Sequence, residues 1–451
     1  MNAFWHNLAK ETFVGRGQLA CNAKKWDCRF WIAQLINGRI VVQVQGLNQS
    51  VFSDLFNYLD RITPCSIVGE LEGGQPLEAT NIDFNWNVGS HLEGFVLYPG
   101  FVEIKHVDYK EEFYPRIIYE VTNLSLGKQS NITATVENAK LKVCWLSKHN
   151  KILRYAQGLK SARVLSLIDV DFVQQSSQAE QQDLINGLCD LLTLAQRSYV
   201  SIVAEHWQAA DGATKRSQYQ EPVFDYPPAP RPLIPANALT NFIETTFSNY
   251  NKFWDSWNLP WIIDYYVQSI SLQNDLAQSP GSFTALEALK AAFLKQKKIS
   301  NTKLEHYVDI KRFQQEEIVE KIMHILSDSF EEFRGLVAND SSEGHEKKPE
   351  RQALIRRIEN LNERPRPRYR DALKAMFGDL KVFYDDDDLK HLVLFRDKII
   401  HGSIPDYETD DAAHLTWRFS SLVEKTILAI LKYQGERELY DQIGTSINQQ
   451  N

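Results

Sequence analysis

The stretch EPVFDYPPAPRPLIPA, Glu221 to Ala236, decides how the chain is read. Six of the sixteen prolines fall in it. Proline has no backbone N–H and fixes φ, so the run can be neither a helix interior nor a central strand. It reads as a semi-rigid extended connector. A PxxP-type ligand for an SH3-like domain is the other reading of such a composition. The hydrophobic period is two before this stretch and helical after it. The expected fold class is α+β: an N-terminal antiparallel β-rich domain with trailing helices over residues 1–220, a proline-rich linker over 221–236, and an all-α helical bundle over 237–451.

Upstream, Ile82, Phe84, Trp86 and Val88 alternate with Asp83, Asn85 and Asn87, the pattern of a half-buried strand. RFWIAQLI and RIVVQVQ flank Asn37-Gly38, the strongest short hairpin signal. FVLY and FVEIKH on either side of Pro99-Gly100 predict a second hairpin, and RIIYEVT, LKVCWL and RVLSLIDV predict further strands. The expectation is an antiparallel sandwich or curved barrel-like sheet to about Val173, then a helical stretch from Ala179 to about Ala209. Nucleophile elbow, metal cluster and phosphate loop are all missing from this half of the sequence, so it names no ligand for the sheet.

Downstream, Phe242, Thr246 and Tyr250 begin one stripe, and Ile263, Tyr266, Val267 and Ile270 follow the spacing of one helix face. Leu286, Leu289 and Phe293 line another, as do Ile318, Ile322, Ile325 and Phe330. The last stripe carries Leu415, Phe419, Leu422, Ile427 and Ile430. These predict a bundle with antiparallel neighbours.

Bulk properties bound the function. With 451 residues, 43% hydrophobic and 24% charged, the chain is expected to fold into two or three domains. MNAFWHNLAKETF lacks the basic start and apolar run of a signal peptide, and no stretch approaches the ~18 apolar residues of a membrane span. The five cysteines are odd in number, scattered and without a Cys-x-x-Cys pair, which points to buried thiols in a reducing compartment. A cytoplasmic protein is expected, with no membrane partner and no cofactor.

The net charge of −8 requires any RNA contact to come from a local basic patch. KKPERQALIRRIENLNERPRPRYR supplies one: nine Lys or Arg against three Glu between Lys347 and Arg370. Lys347, Lys348, Arg356, Arg357, Arg364, Arg366, Arg368 and Arg370 are its candidate phosphate ligands, and Tyr369 offers a stacking face to an unpaired base. A solvated loop is the plainer reading of such a charge run. Asp385, Asp386, Asp387 and Asp388 look like a magnesium site, but consecutive residues cannot all face one ion. They precede a helix, where acids cap free amides, and the cap is the favoured reading. His391 and His414 have no matching ligand constellation and are left as surface or packing residues, so no metal site is assigned.

Arg396-Asp397-Lys398-Ile399-Ile400-His401, followed by Gly402, carries the chemistry. A guanidinium can neutralise a phosphate in a fixed fork, and an imidazole can move the proton of a 2′-hydroxyl or of a leaving oxygen. On an ideal helix Arg396 and His401 lie roughly 140° apart, while Asp397 and His401 share a face. Asp397 can therefore orient the imidazole while Arg396 reaches round on its long stem. The plain alternative is a solvated Arg and a His capping its helix. Glu287 is odd on an otherwise apolar helix, and a partner such as Arg396 would give it a reason to be there.

The segment LVLFRDKIIHG resembles the signature helix of HEPN domains, the higher-eukaryote and prokaryote nucleotide-binding family, whose ribonuclease members carry Arg-polar-xxx-His. SFTALEALKAAF, Ser282 to Phe293, resembles an earlier helix of the ApeA-like branch, with Glu287 in its Leu-Glu pair. The resemblance covers about Asn237 to Tyr433, and a β-rich domain ahead of the helices is the ApeA-like arrangement. It implies a metal-independent endoribonuclease in which His401 is general base or acid, Arg396 steadies the phosphate, Asp397 tunes His401 and Glu287 helps form the site. It also implies a homodimer through the helical half, antiviral defence by cleavage of tRNA or other cellular RNA, and a phage-derived trigger or inhibitor as partner. Two other readings stay open: a catalytically silent HEPN module that binds nucleotide or RNA, and a β domain that carries the activity while the helices only dimerise.

Overall fold

The computed structural model describes residues 8–21, 24–45, 65–84, 95–106, 109, 113–127, 131–146, 161–224, 226–229, 231–271, 275–297, 369–400 and 409–439. Among the described residues the first six strands are β1 (Ala9–Cys21), β2 (Lys24–Leu35), β3 (Ile40–Gln45), β4 (Cys65–Leu71), β5 (Pro76–Phe84) and β6 (Phe95–Lys105). They pair antiparallel in the order β3-β2-β1-β4-β5-β6, and β3 also pairs with β6. The ring therefore closes, and of the two sheet shapes expected the barrel is the one formed. Its filling is the period-two set from each strand, among them Leu19, Phe30, Ile32, Val42, Val44, Ile67, Leu77, Ala79 and Val102. Gly38 turns the β2–β3 hairpin at φ +87°, a conformation that suits glycine.

Pro99-Gly100 does not turn; β6 runs straight through it, and this corrects the second hairpin. On one side β6 pairs with β3 at residues 95–97 and with β12 at residues 101–105. Pro99 falls between those two ladders and lies opposite Ile82 of β5 on the other side of the strand. Asn81, facing this point from β5, takes a left-handed backbone at φ +53°.

The sheet continues from β6 as β12-β11-β7-β10-β9-β8, with β7 (Arg116–Thr122), β8 (Asn131–Val136), β9 (Ala139–Trp145), β10 (Val164–Phe172), β11 (Ile202–Gln208) and β12 (Thr214–Gln220). One helix, α1 (Gln178–Gln196), crosses between β10 and β11. Ser177 and Glu180 form a capping box at its start, and Arg197 ends it in the left-handed region at φ 52°. The helical stretch expected to about Ala209 therefore ends at Gln196. Past Arg197 the β-branched and alternating run IVAEHWQ becomes β11, buried between β7 and β12.

The described residues of the connector before Ala236 form neither helix nor strand, and several of them pack against the rest of the chain. Leu233 and Ile234 are fully buried and both donate backbone N–H groups to the Ala195 carbonyl at the end of α1. Phe224 stacks on Tyr199 at 4.0 Å. A 3-10 turn (Ala236–Ala238) leads into α2 (Leu239–Phe253), followed by α3 (Leu259–Ile270), α4 (Asp275–Gln296), α5 (Tyr369–Leu380), α6 (Asp386–Ile400) and α7 (Thr409–Ile430). Most of the described stripe residues are buried, among them Phe242, Thr246, Tyr250, Ile263, Tyr266, Val267, Leu286, Leu289, Phe293, Phe419, Leu422, Ile427 and Ile430, while Ile270 and Leu415 are half-buried. The Ile318 to Phe330 stripe lies outside the described residues.

α2 lies along β8, the strand at the end of the sheet. Glu244 accepts the Thr135 amide (2.8 Å), and Thr240 donates to the Thr133 carbonyl (2.9 Å), so the edge is covered. One apolar core runs from β7–β10 through α1 into the helices. Among the described residues no helix is long and apolar enough to cross a membrane.

Candidate functional site

α6 starts where its four aspartates predict. The Asp385 carboxylate accepts the backbone N–H of Asp387 (2.9 Å) and of Asp388 (3.0 Å), an N-cap. Asp386 binds Lys374 (2.5 Å) and Arg370 (3.3 Å), and Asp388 binds Arg418 of α7. The acids thus face different partners. Leu389, Leu392 and Phe395 bury one side of α6. Phe395 meets Phe283 of α4 edge to face at 5.9 Å, and Phe283 also packs on Phe419 of α7 at 4.3 Å. α3, α4 and α7 approach closely over small residues: the hydroxyls of Ser269, Ser282 and Ser420 form a chain with links of 3.1 and 3.0 Å.

That packing sets the site. Glu287 is four residues beyond Phe283, on the same face of α4, and Arg396 directly follows Phe395 on α6. The two meet: Arg396 Nη2 donates to Glu287 Oε1. Nη1 donates to Asp397 Oδ1 at 2.7 Å. Nε is buried and has no hydrogen-bond partner among the described residues. Burial opposes the charge on Arg396, but the Asp397 hydrogen bond and the charge of Glu287 outweigh it and hold its pKa above the usual value.

Two further side chains complete the cluster. The Arg396 guanidinium lies 4.4 Å from the ring of Tyr369, the first residue of α5. Lys290 binds Glu287 Oε2 at 2.6 Å and lies 4.5 Å from the same ring. Burial, reinforced by the charge of Glu287, raises the Tyr369 phenol, so it stays protonated. Arg396 and Lys290 against Glu287 and Asp397 leave the cluster electrically balanced.

The sequence candidates separate as follows. Arg396, Asp397, Glu287 and Tyr369 come together. The Tyr369 ring packs against two cations instead of standing open as a stacking face for a base. Arg370 is tied to Asp386 at the start of α6. His401, Lys347, Lys348, Arg356, Arg357, Arg364, Arg366 and Arg368 lie outside the described residues, and with His401 its relation to Asp397. His391 and His414 are exposed. Lys290 was missed, although its i+3 spacing from Glu287 was a usable signal. Compared with known proteins, the chain matches no family model, no curated protein and no solved structure.

Proposed function

We propose that this chain is a metal-independent endoribonuclease of HEPN type, acting as an antiviral effector on tRNA or other cellular RNA, with the β-rich half as its sensor or recognition part. The observation that carries this reading is the meeting of Glu287 and Arg396. They are 109 residues apart and are the polar residues that mark two separate helices in the resembling family. A guanidinium anchored at two corners, on a side chain still 20% exposed, is oriented to steady a phosphate.

In the proposed reaction His401 takes the 2′-hydroxyl proton and the 2′-oxygen attacks phosphorus. The 5′-oxygen leaves with a proton from the His401 of a second copy. The products are a 2′,3′-cyclic phosphate and a 5′-hydroxyl. The basic run before Tyr369 leads RNA backbone toward Arg396.

A second reading is a silent nucleotide- or RNA-binding module. It is favoured by the same cluster, because Arg396 is already matched by two carboxylates. Incubating the full chain with total RNA in EDTA separates the two. The nuclease reading expects cleavage with 5′-hydroxyl ends, lost in Arg396→Ala and His401→Ala while both variants still fold and dimerise. RNA that binds but stays whole would select the silent module, and cleavage that survives His401→Ala would overturn the mechanism.

A further inference from the structure

A cavity of about 300 Å³ opens where three segments meet: residues before β7, the start of α1, and the far end of the β11–β12 hairpin. Its wall includes Tyr109, Tyr114, Trp207, Arg216, Ser176 and Gln181. Much of this wall is flat. Trp207 and Arg216 are cross-strand partners, and the guanidinium lies 4.6 Å from the Trp207 ring and 5.7 Å from the Tyr109 ring. Tyr109 and Tyr114 are parallel to within 9° at 6.2 Å. Glu103 fixes the arginine plane by accepting from its Nε at 2.6 Å.

The decisive residue is Gln181. It is only 5% exposed, it lines the cavity, and its amide nitrogen has no hydrogen-bond partner among the described residues. The Ser176 hydroxyl, on the same wall, also has none among them. A buried donor left unmatched is costly, so both groups call for polar atoms from outside the chain. The start of α1 is not what asks for a ligand, because the Ser177–Glu180 capping box already serves it. Around Glu103, Arg216 and Lys105 leave one positive charge in excess.

We propose that this cavity binds the base of a nucleoside or mononucleotide. The base stacks on the tyrosine and arginine planes, one of its ring nitrogens or carbonyls accepts from Gln181, and a 5′-phosphate is tolerated beside Lys105 and Arg216. An aliphatic ligand would leave Gln181 and Ser176 unmatched, and a simple sugar would make no use of the guanidinium plane. The volume lies at the low end of the ~300–1,000 Å³ range of small-molecule sites, which suits one nucleoside and not an oligonucleotide. The proposal does not depend on the nuclease reading.

Titration calorimetry of the full chain tests it, with the four ribonucleosides, their 5′-monophosphates, inorganic phosphate and a short single-stranded oligonucleotide as separate arms. At least one nucleoside or monophosphate is expected to bind. Gln181→Met, which keeps the volume and removes the donor, should weaken that binding about tenfold or more. Arg396→Ala should leave it unchanged. Four outcomes would overturn the proposal: no nucleoside or monophosphate binding at millimolar concentration, equal affinity in Gln181→Met, equal affinity for phosphate alone, or loss of binding in Arg396→Ala. Should Gln181→Met fail to fold, photo-crosslinking of the parent with an azido-nucleoside decides. Label on peptides holding Tyr109, Tyr114 or Trp207 supports the site, and label confined elsewhere removes it.

Discussion

Glu287 serves two cations at once, Arg396 through one carboxylate oxygen and Lys290 through the other. Both cations rest on the Tyr369 ring, so the carboxylate sets where the guanidinium points. Lysine in place of Arg396 could not span Glu287 and Asp397 in the same way, because it has no planar fork. On the nuclease reading, Glu287 is then a positioning residue, and binding and turnover should respond differently to its loss. Glu287→Gln keeps the size and removes one negative charge. RNA should bind as tightly as before or more tightly, since the site gains net positive charge. The cleavage step should slow by about 100-fold as Arg396 loses its aim. Single-turnover rates measured beside filter-binding affinities check this. Equal losses in both, or unchanged turnover, would show that the carboxylate only packs the helices.

Among the elements, α1 and its neighbours hold a half-buried and a buried acid, Asp190 and Glu205, whose protonation differs between folded and unfolded chain. Asp190 of α1 is pushed up to about 6 by burial, against the hydrogen bond that Tyr250 of α2 donates to it. Glu205 of β11 is pushed up to about 7 by burial, against the charges of Arg216 and His206. Unfolded, both titrate near the ordinary carboxylate value of about 4. The folded state therefore binds their protons more tightly. The stability this contributes is complete below about pH 4 and is lost as pH rises through about 6 to 7, by on the order of 2 to 3 kcal/mol for each group. The double variant Asp190→Asn, Glu205→Gln should flatten the fall in melting temperature between about pH 5 and 7.5. It should also melt several degrees higher than the parent at about pH 8. A thermal-shift series across that range checks it, and a variant that follows the parent's slope would show that neither acid is neutral in the fold.

Across the whole molecule, Arg197 and Glu424 join parts 227 residues apart. Arg197, at the end of α1, donates Nε and Nη2 to the two carboxylate oxygens of Glu424 on α7, at 2.6 and 2.9 Å. The Tyr266 hydroxyl also donates to Glu424, and Arg197 donates to the backbone carbonyl of Glu438 at 2.5 Å. Both residues are buried, at 2% and 0% exposure. Removing one member of such a pair strands the other charge. Glu424→Ala should therefore cost about 3 to 5 kcal/mol. Because one apolar core runs from β7–β10 into the helices, both should lose stability together. Urea unfolding followed by far-ultraviolet circular dichroism and by tryptophan fluorescence checks this. A midpoint shift in one signal alone would mean that the pair does not couple sheet to helices.

Periodicity along the chain was enough to place the Asn37-Gly38 hairpin, the strands RIIYEVT and RVLSLIDV, the stripes of α2, α4 and α7, and the aspartate cap of α6. Each of these depends on neighbours within a few residues, so local sequence carries it. β12, TKRSQYQ, gave no such signal, because it is polar and becomes a strand only by pairing with β11 and β6. The closing of the barrel, the passage of β6 through Pro99, and the sharing of one core across residue 220 likewise depend on partners far off in sequence. At the site, the residue types were readable and a partner for Glu287 was foreseeable. Which groups surround Arg396 was settled by the crossing of α4 and α6 at Phe283 and Phe395, and Tyr369 of α5 then joined it as a packing ring. A side chain's partner in a fold is set by which helices its neighbours bury against, and that is a sum over the whole core.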